Sequence, residues 1–397
     1  MKRKFLAVLL AVLCVGGTAC GMSGKNESDA DSTASQTEEV KGMKGTRLTA
    51  ENAKLIGRTY LAESGTLWCG LSGSGAEFEF TGKNLDIMVE GDKVSWSGQK
   101  DNYTRIAIYV DGERVVDDML NEGLKKYTPI SGDTEVTKTV RIVKLSETAM
   151  SCFGIMPIQL EEGASVKPTE QKAHKIEFIG DSITCGYGVD DEDPTHKFKT
   201  STEDVTRAYA YKTAENLNAE YSMFSISGWG IISGWTGDGK QKPDQQIPLY
   251  YEKMGFSYGA FGDKQPQDID WDYSLYQPEL VVINLGTNDD SYCTTNADRQ
   301  QDYVEGYAEF LKTVRKDNPD ARILCVLGIM GDRLYPYVEA AVEKYSTDTG
   351  DTNISAFHLE PQNTAEDGLV ADYHPTEKTH TKASDALTAE IKRIMGW

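Results

Sequence analysis

The chain has 397 residues, 39% of them hydrophobic and 26% charged, which is enough for more than one domain with its own core. A formal net charge of -21 excludes ordinary nucleic-acid binding, because phosphate contacts need clustered Lys and Arg. The same acidity says little about an uncharged partner such as a sugar.

Lys2-Arg3-Lys4 is a cationic start, and Phe5 to Val15 is an apolar run too short to span a bilayer as a stable helix, so the pattern reads as an export signal. Gly17-Thr18-Ala19-Cys20 places small residues before a cysteine, as a bacterial lipobox does. Residues 1–20 are therefore assigned to a signal peptide with a lipobox, and Cys20 to a lipid anchor that holds the exported protein at the cell surface. Gly17 stands where a branched aliphatic is usual, so cleavage with release is the alternative. GMSGKNESDADSTASQTEEVKG follows, too polar to bury the apolar surface that ordering requires, and residues 21–45 are expected to be a flexible tether. The membrane is thus a partner through the lipid anchor only. Of 7 cysteines, Cys69, Cys152, Cys185, Cys293 and Cys325 lie beyond Cys20, an odd number without C-x-x-C spacing, which argues against a disulfide framework or a zinc site.

Residues 46–165 have a β texture. GAEFEFTG (Gly75 to Gly82) alternates apolar and polar residues, and NLDIMVEGD follows the turn at Gly82-Lys83. TRIAIYVDGERVV is two alternating runs around Asp111-Gly112, the strongest short hairpin signal. VTKTVRIVKLS alternates again and CFGIMPIQLEE closes the region. Short strands punctuated by Gly and Asp, with no convincing helix, predict a β-sandwich.

Across residues 172–397 the texture becomes strand, helix, strand. HKIEFIG, EYSMFSIS, PELVVINLG and ARILCVLGI read as buried strands, and NISAFHLE as another. TEDVTRAYAYKTAENLN, RQQDYVEGYAEFLKTVRKDN, LYPYVEAAVEKYS and TEKTHTKASDALTAEIKRIM have helical spacing. This is a doubly wound α/β domain, whose ligands sit beyond the carboxyl ends of its strands.

Four strand ends carry residues with chemistry. In FIGDSITCGYGV, Ser182 follows a strand, where it is equally an N-cap or an exposed nucleophile whose own N–H faces a developing oxyanion. In NLGTND, Asn288 can donate an amide hydrogen to an oxyanion, or simply shape a turn. In FSISGWG, Gly228 N–H is a further candidate donor, preferred to Gly230, against the plainer reading of a loop glycine. In ADYHPTEKTH, Pro375 biases His374 away from helix, and a base working near neutrality is most economically a histidine. His380 is the alternative, expected on a helix surface and structural. The separate signals are weak, but together they supply a nucleophile, a base and oxyanion donors, the set that acyl transfer requires.

GDSITCGYG, SGWG, GTND and the C-terminal His-Pro resemble the blocks of the SGNH (GDSL) hydrolases, over Lys172 to Trp397. The closer likeness is to carbohydrate esterase family 2, whose acetyl esterases act on plant polysaccharides and join an N-terminal β-sandwich to this hydrolase domain. The resemblance implies a flavodoxin-like hydrolase domain of parallel sheet flanked by helices, preceded by an all-β sandwich of jelly-roll type. It implies Ser182 as nucleophile, His374 as base, and Ser182 N–H, Gly228 N–H and the Asn288 side chain as the oxyanion hole. Asp181 and Asp289 match the blocks as structural residues that hold loops. Many members have an orienting aspartate three residues before the histidine, where this chain has Ala371. Asp372, two before, is retained as a third catalytic member beside the alternative of a backbone carbonyl.

The implied activity is a serine carboxylic-ester hydrolase of the acetylesterase or acetyl xylan esterase type, acting on acetylated polysaccharide or oligosaccharide as a monomer. An esterase on lipid or cell-envelope acyl groups, and a non-catalytic glycan-binding lipoprotein, are the alternatives. The histidines lack H-E-x-x-H spacing and the cysteines do not pair with them, so neither metal nor cofactor is expected. Trp229 and Trp235 are expected to bind sugar, within a stretch from Gly234 to Trp271 whose lack of periodicity suggests loops over the cleft.

Overall fold

In the computed structural model, residues 45–397 are described; the expected signal peptide, the Cys20 anchor and the tether up to residue 44 lie outside the described residues. The first strands are β1 (Lys54–Ile56), β2 (Thr59–Leu61), β3 (Leu67–Cys69), β4 (Gly75–Gly82), β5 (Leu85–Gly91), β6 (Arg105–Val110), β7 (Glu113–Met119), β8 (Leu124–Ile130), β9 (Val136–Lys144), β10 (Phe153–Ile155) and β11 (Ser165–Pro168). They form two antiparallel sheets, β1-β4-β9-β6-β7 with β11 on β4, and β2-β3-β10-β5-β8. Alternation explains the arrangement. Phe78 and Phe80 of β4, with Ile106, Ile108, Val140 and Ile142 beside them, meet Leu85, Ile87, Val89, Phe153 and Ile155 of the other sheet in one core. Asp111 and Gly112 take φ of 50° and 84° and close the β6–β7 hairpin, as their dipeptide predicts. β4 and β5, neighbours in sequence, lie in different sheets, so the Gly82-Lys83 turn swings the chain across the sandwich.

The third sheet contains β12 (His174–Gly180), β13 (Ala219–Ser225), β14 (Leu280–Asn284), β15 (Arg322–Ile329) and β16 (Ile354–Pro361). All pairings are parallel and the order is β13-β12-β14-β15-β16, the flavodoxin-like order with its crevice between the first and third strands. The helices are α1 (Ser182–Cys185), α2 (Tyr209–Asn216), α3 (Thr287–Cys293), α4 (Ala297–Asp317), α5 (Tyr335–Thr349), α6 (Thr364–Asp367) and α7 (Glu377–Met395). The strands read as unbroken apolar runs because both faces are covered. Ile179, Val281, Ile283 and Ile323 point to Tyr307, Leu311, Val338 and Tyr345 of α4 and α5. Phe178, Val282 and Leu324 point to Tyr209, Ala214, Leu387 and Ile391 of α2 and α7.

Two expectations need correction. His380 is fully buried rather than on a helix surface, and its Nδ1 accepts the Tyr209 N–H at 3.2 Å. Most of the Gly234–Trp271 stretch does not cover the cleft: Met254, Phe261 and Trp271 pack on Trp68 and Cys152 of the β-sandwich, and Tyr251 is in the core of the α/β domain. Arg58, between β1 and β2, is buried in the same seam, where it donates to the Glu177 carboxylate (3.0 Å) and to the carbonyls of Tyr251 and Lys253 (2.6 Å to the latter). Its guanidinium lies over the rings of Phe224 and Tyr251, 4.5 and 5.0 Å from their centroids.

Candidate active site

Gly180 ends β12, and a Cβ there would come within 2.1 Å of Thr184 Oγ1, so the strand passes into α1 only with glycine. The helix cap is Asp181, whose side chain accepts the Ile183 N–H at 3.0 Å. Capping therefore does not use Ser182, and its hydroxyl is free for another partner. That partner is His374: Nε2 lies 2.8 Å from Ser182 Oγ.

His374 is reached through a strained turn after β16. Asp372 and Tyr373 both take left-handed conformations, φ 49° and 63°, and Val370 N–H closes the turn on the His374 carbonyl at 3.0 Å. The turn aims the carbonyls of Ala371 and Asp372 at His374 Nδ1, each at 3.2 Å. Nδ1–H donates to them, leaving Nε2 to accept from Ser182. Tyr187 stacks on the imidazole with centroids 3.9 Å apart and planes 17° apart. Burial pushes the His374 pKa down to about 4, so the ring is neutral near pH 7.

The Asp372 carboxylate faces elsewhere: it accepts from Tyr187 OH at 2.6 Å and Lys197 Nζ at 2.7 Å. The assignment of its side chain as third catalytic member is corrected by this geometry, since two backbone carbonyls hold the histidine instead.

Asn288, in the first turn of α3, places Nδ2 3.0 Å from Asp181 Oδ2 and 2.8 Å from the Trp229 carbonyl. Gly228 has φ 81°, and a Cβ there would meet nothing within 4 Å, so its backbone stands open to the cavity. Among the described residues, neither the Ser182 N–H nor the Gly228 N–H has a hydrogen-bond acceptor. Asp289 gathers the N–H groups of Ile231, Ile232 and Ser233 at 2.7–3.1 Å and so shapes the loop beyond Gly228. Burial raises the pKa of Asp289 to about 6 and of Asp181 to about 7.

Ser182, Gly228, Asn288 and His374 share a cavity of about 760 Å³, also lined by Trp235, Lys197, Arg333 and Tyr373. Trp235 is 61% exposed and presents a free ring there. Trp229 is only 6% exposed and packs between Tyr250 and Phe256, so its expected sugar contact is corrected: it contributes a carbonyl to Asn288 and no ring to the cavity. Sequence reasoning missed Tyr187, although it lies five residues after Ser182 in the same glycine-rich block.

Comparison with known proteins follows this division. Residues 178–382 match the GDSL-like Lipase/Acylhydrolase family, and residues 55–169 match the Carbohydrate esterase 2 N-terminal family. A cellulase/esterase, CelE, of Acetivibrio thermocellus is 31% identical over 337 residues, which are 83% of this chain but only 38% of that relative's length. An acetylxylan esterase / glucomannan deacetylase of Cellvibrio japonicus is 26% identical over 351 residues, 87% of this chain and 89% of that protein. Among solved structures, a family two carbohydrate esterase from Clostridium thermocellum in complex with cellohexaose is 28% identical with a TM-score of 0.74, covering 87% of this chain and 99% of that one.

Proposed function

Because the chain belongs to the GDSL-like lipase/acylhydrolase family and carries the carbohydrate esterase 2 N-terminal domain, we propose that it is a carbohydrate O-acetylesterase working through Ser182 and His374. The observation that carries this reading is the 2.8 Å contact between Ser182 Oγ and His374 Nε2, beside unengaged Ser182 and Gly228 N–H groups in an open cavity.

Ser182 Oγ attacks the acetyl carbonyl as its proton passes to His374 Nε2. The carbonyls of Ala371 and Asp372 stabilise the imidazolium through Nδ1–H, replacing the carboxylate of a triad. The N–H groups of Ser182 and Gly228 receive the oxyanion, with Asn288 Nδ2 turning one hydrogen from its present acceptors toward it. His374 then gives that proton to the sugar's ester oxygen as its bond to the acetyl carbon breaks, so the sugar leaves with a free hydroxyl and the acetyl group remains on Ser182. Water activated by His374 releases acetate.

The substrate class is acetylated plant polysaccharide or oligosaccharide. Support comes from the exposed Trp235 ring, suited to stacking on a pyranose, and from a similar esterase solved with cellohexaose. Acetate release from acetylated xylan, glucomannan and peptidoglycan tests the reading. Release from the plant glycans is expected; a preference for octanoyl esters, or glycan binding without acetate release, refutes it.

A further inference from the structure

We infer that Glu147, which lies just beyond the last residue of β9 on the β-sandwich side of the chain, is a positioning residue for the oxyanion donor Gly228. The inference rests on the esterase reading above. Glu147 is fully buried, and its Oε2 accepts the Ser227 N–H at 2.8 Å. Ser227 immediately precedes Gly228, so this bond holds the Ile226–Ser227 peptide, one residue before the peptide that carries the Gly228 N–H. Gly228 has no side chain to anchor it, and its left-handed backbone has nothing packed where a Cβ would be. Its position depends on bonds to either side: Ile226 N–H to the Gly180 carbonyl at 3.3 Å, Trp235 N–H to the Gly228 carbonyl at 2.7 Å, and Glu147 from beneath.

Glu147 is itself held at both ends of its backbone. Its N–H donates to Glu203 Oε2 at 2.9 Å, and its carbonyl accepts from the buried Lys144 ammonium. The anchor therefore passes from β9 through Lys144 and Glu147 to the oxyanion loop, a route from the sandwich to the chemistry. Glu147 Oε1 and Glu203 Oε1 are both buried without a hydrogen-bond partner among the described residues, so the site keeps polar groups it does not fully satisfy. Burial raises the pKa of Glu147, which favours its neutral form. In either protonation form an oxygen of the carboxyl group can accept from the Ser227 N–H. An amide should do the same.

The test uses the full chain and an acetyl ester, with kcat, KM and melting temperature measured for wild type, Glu147→Ala and Glu147→Gln. Losing an oxyanion donor costs roughly 10²–10³ in kcat, so a displaced donor in Glu147→Ala should cost about tenfold or more, with KM within about twofold. Glu147→Gln should recover kcat to within about threefold of wild type, as expected when an acceptor replaces an acceptor. Wild-type kcat in Glu147→Ala, or an equal loss in both variants, overturns the assignment. Where Glu147→Ala does not fold, Glu147→Asp carries the test: its shorter reach should lower kcat at unchanged KM, and a wild-type kcat again overturns it. An inactive wild-type protein would instead refute the esterase reading, and the two failures are distinct.

Discussion

Replacing Asp372 by Asn distinguishes a histidine held by backbone carbonyls from one held by a side-chain carboxylate. Asparagine tolerates the left-handed φ of 49° at this position, whereas alanine would add strain of about 1–2 kcal/mol and blur the result. The carboxylate has two partners to lose. Lys197 has a side chain 79% exposed, so solvent screening leaves that pair little weight. The bond from Tyr187 OH is 2.6 Å long and partly survives, because the amide oxygen still accepts; its weakening costs about 1 kcal/mol. Neither sum falls on the Ser182–His374 pair, whose Nδ1–H stays on the carbonyls of residues 371 and 372. Initial rates on an acetyl ester at neutral pH should therefore give kcat within about threefold of wild type, as a cost of at most about 1 kcal/mol in positioning implies. Removing the carboxylate of a true triad costs about 10⁴ in kcat. A loss of about 10³ or more in Asp372→Asn would refute the carbonyl account.

Two further outcomes follow from burial. With His374 pushed down to about 4, the imidazolium that can no longer take the Ser182 proton should form only near pH 4, read as the NMR titration of the His374 ring; a ring titration near the ordinary histidine value of about 6.5 contradicts this. Arg58→Ala leaves Glu177 buried without its cation and should lower unfolding stability by about 3–5 kcal/mol in urea titration; an unchanged midpoint and slope would show that Arg58 does not tie the two halves together.

The hydrolase sheet was legible because strands covered on both faces lack alternation, as PELVVINLG does, and because the residues with chemistry follow strand ends. The β6–β7 hairpin was legible from Asp111-Gly112 alone. Sheet membership in the sandwich was not, since β4 and β5 alternate alike and only their distant partners separate them. Ser182 could not be freed from a capping role by sequence, because both Asp181 and Ser182 cap well; the structure gives the cap to Asp181. Asp372 stands one residue off the usual aspartate position, and two successive left-handed residues turn its carbonyl, not its side chain, to His374. Arg58 and Glu147 gave no local signal. Glu177 lies 119 residues from Arg58, and Ser227 lies 80 residues from Glu147. Trp229 and Trp235 share one loop region and part company only on burial, 6% against 61% exposed.

The central claim is that an acetyl group passes through Ser182. Rapid quenching of the enzyme with an acetylated oligosaccharide, followed by peptide mapping by mass spectrometry, reads that step directly. The account predicts one added acetyl group on the peptide containing Ser182, absent from Ser182→Ala, which should also release no acetate. Steady acetate release by Ser182→Ala, or an acetyl group trapped on another residue, would contradict it.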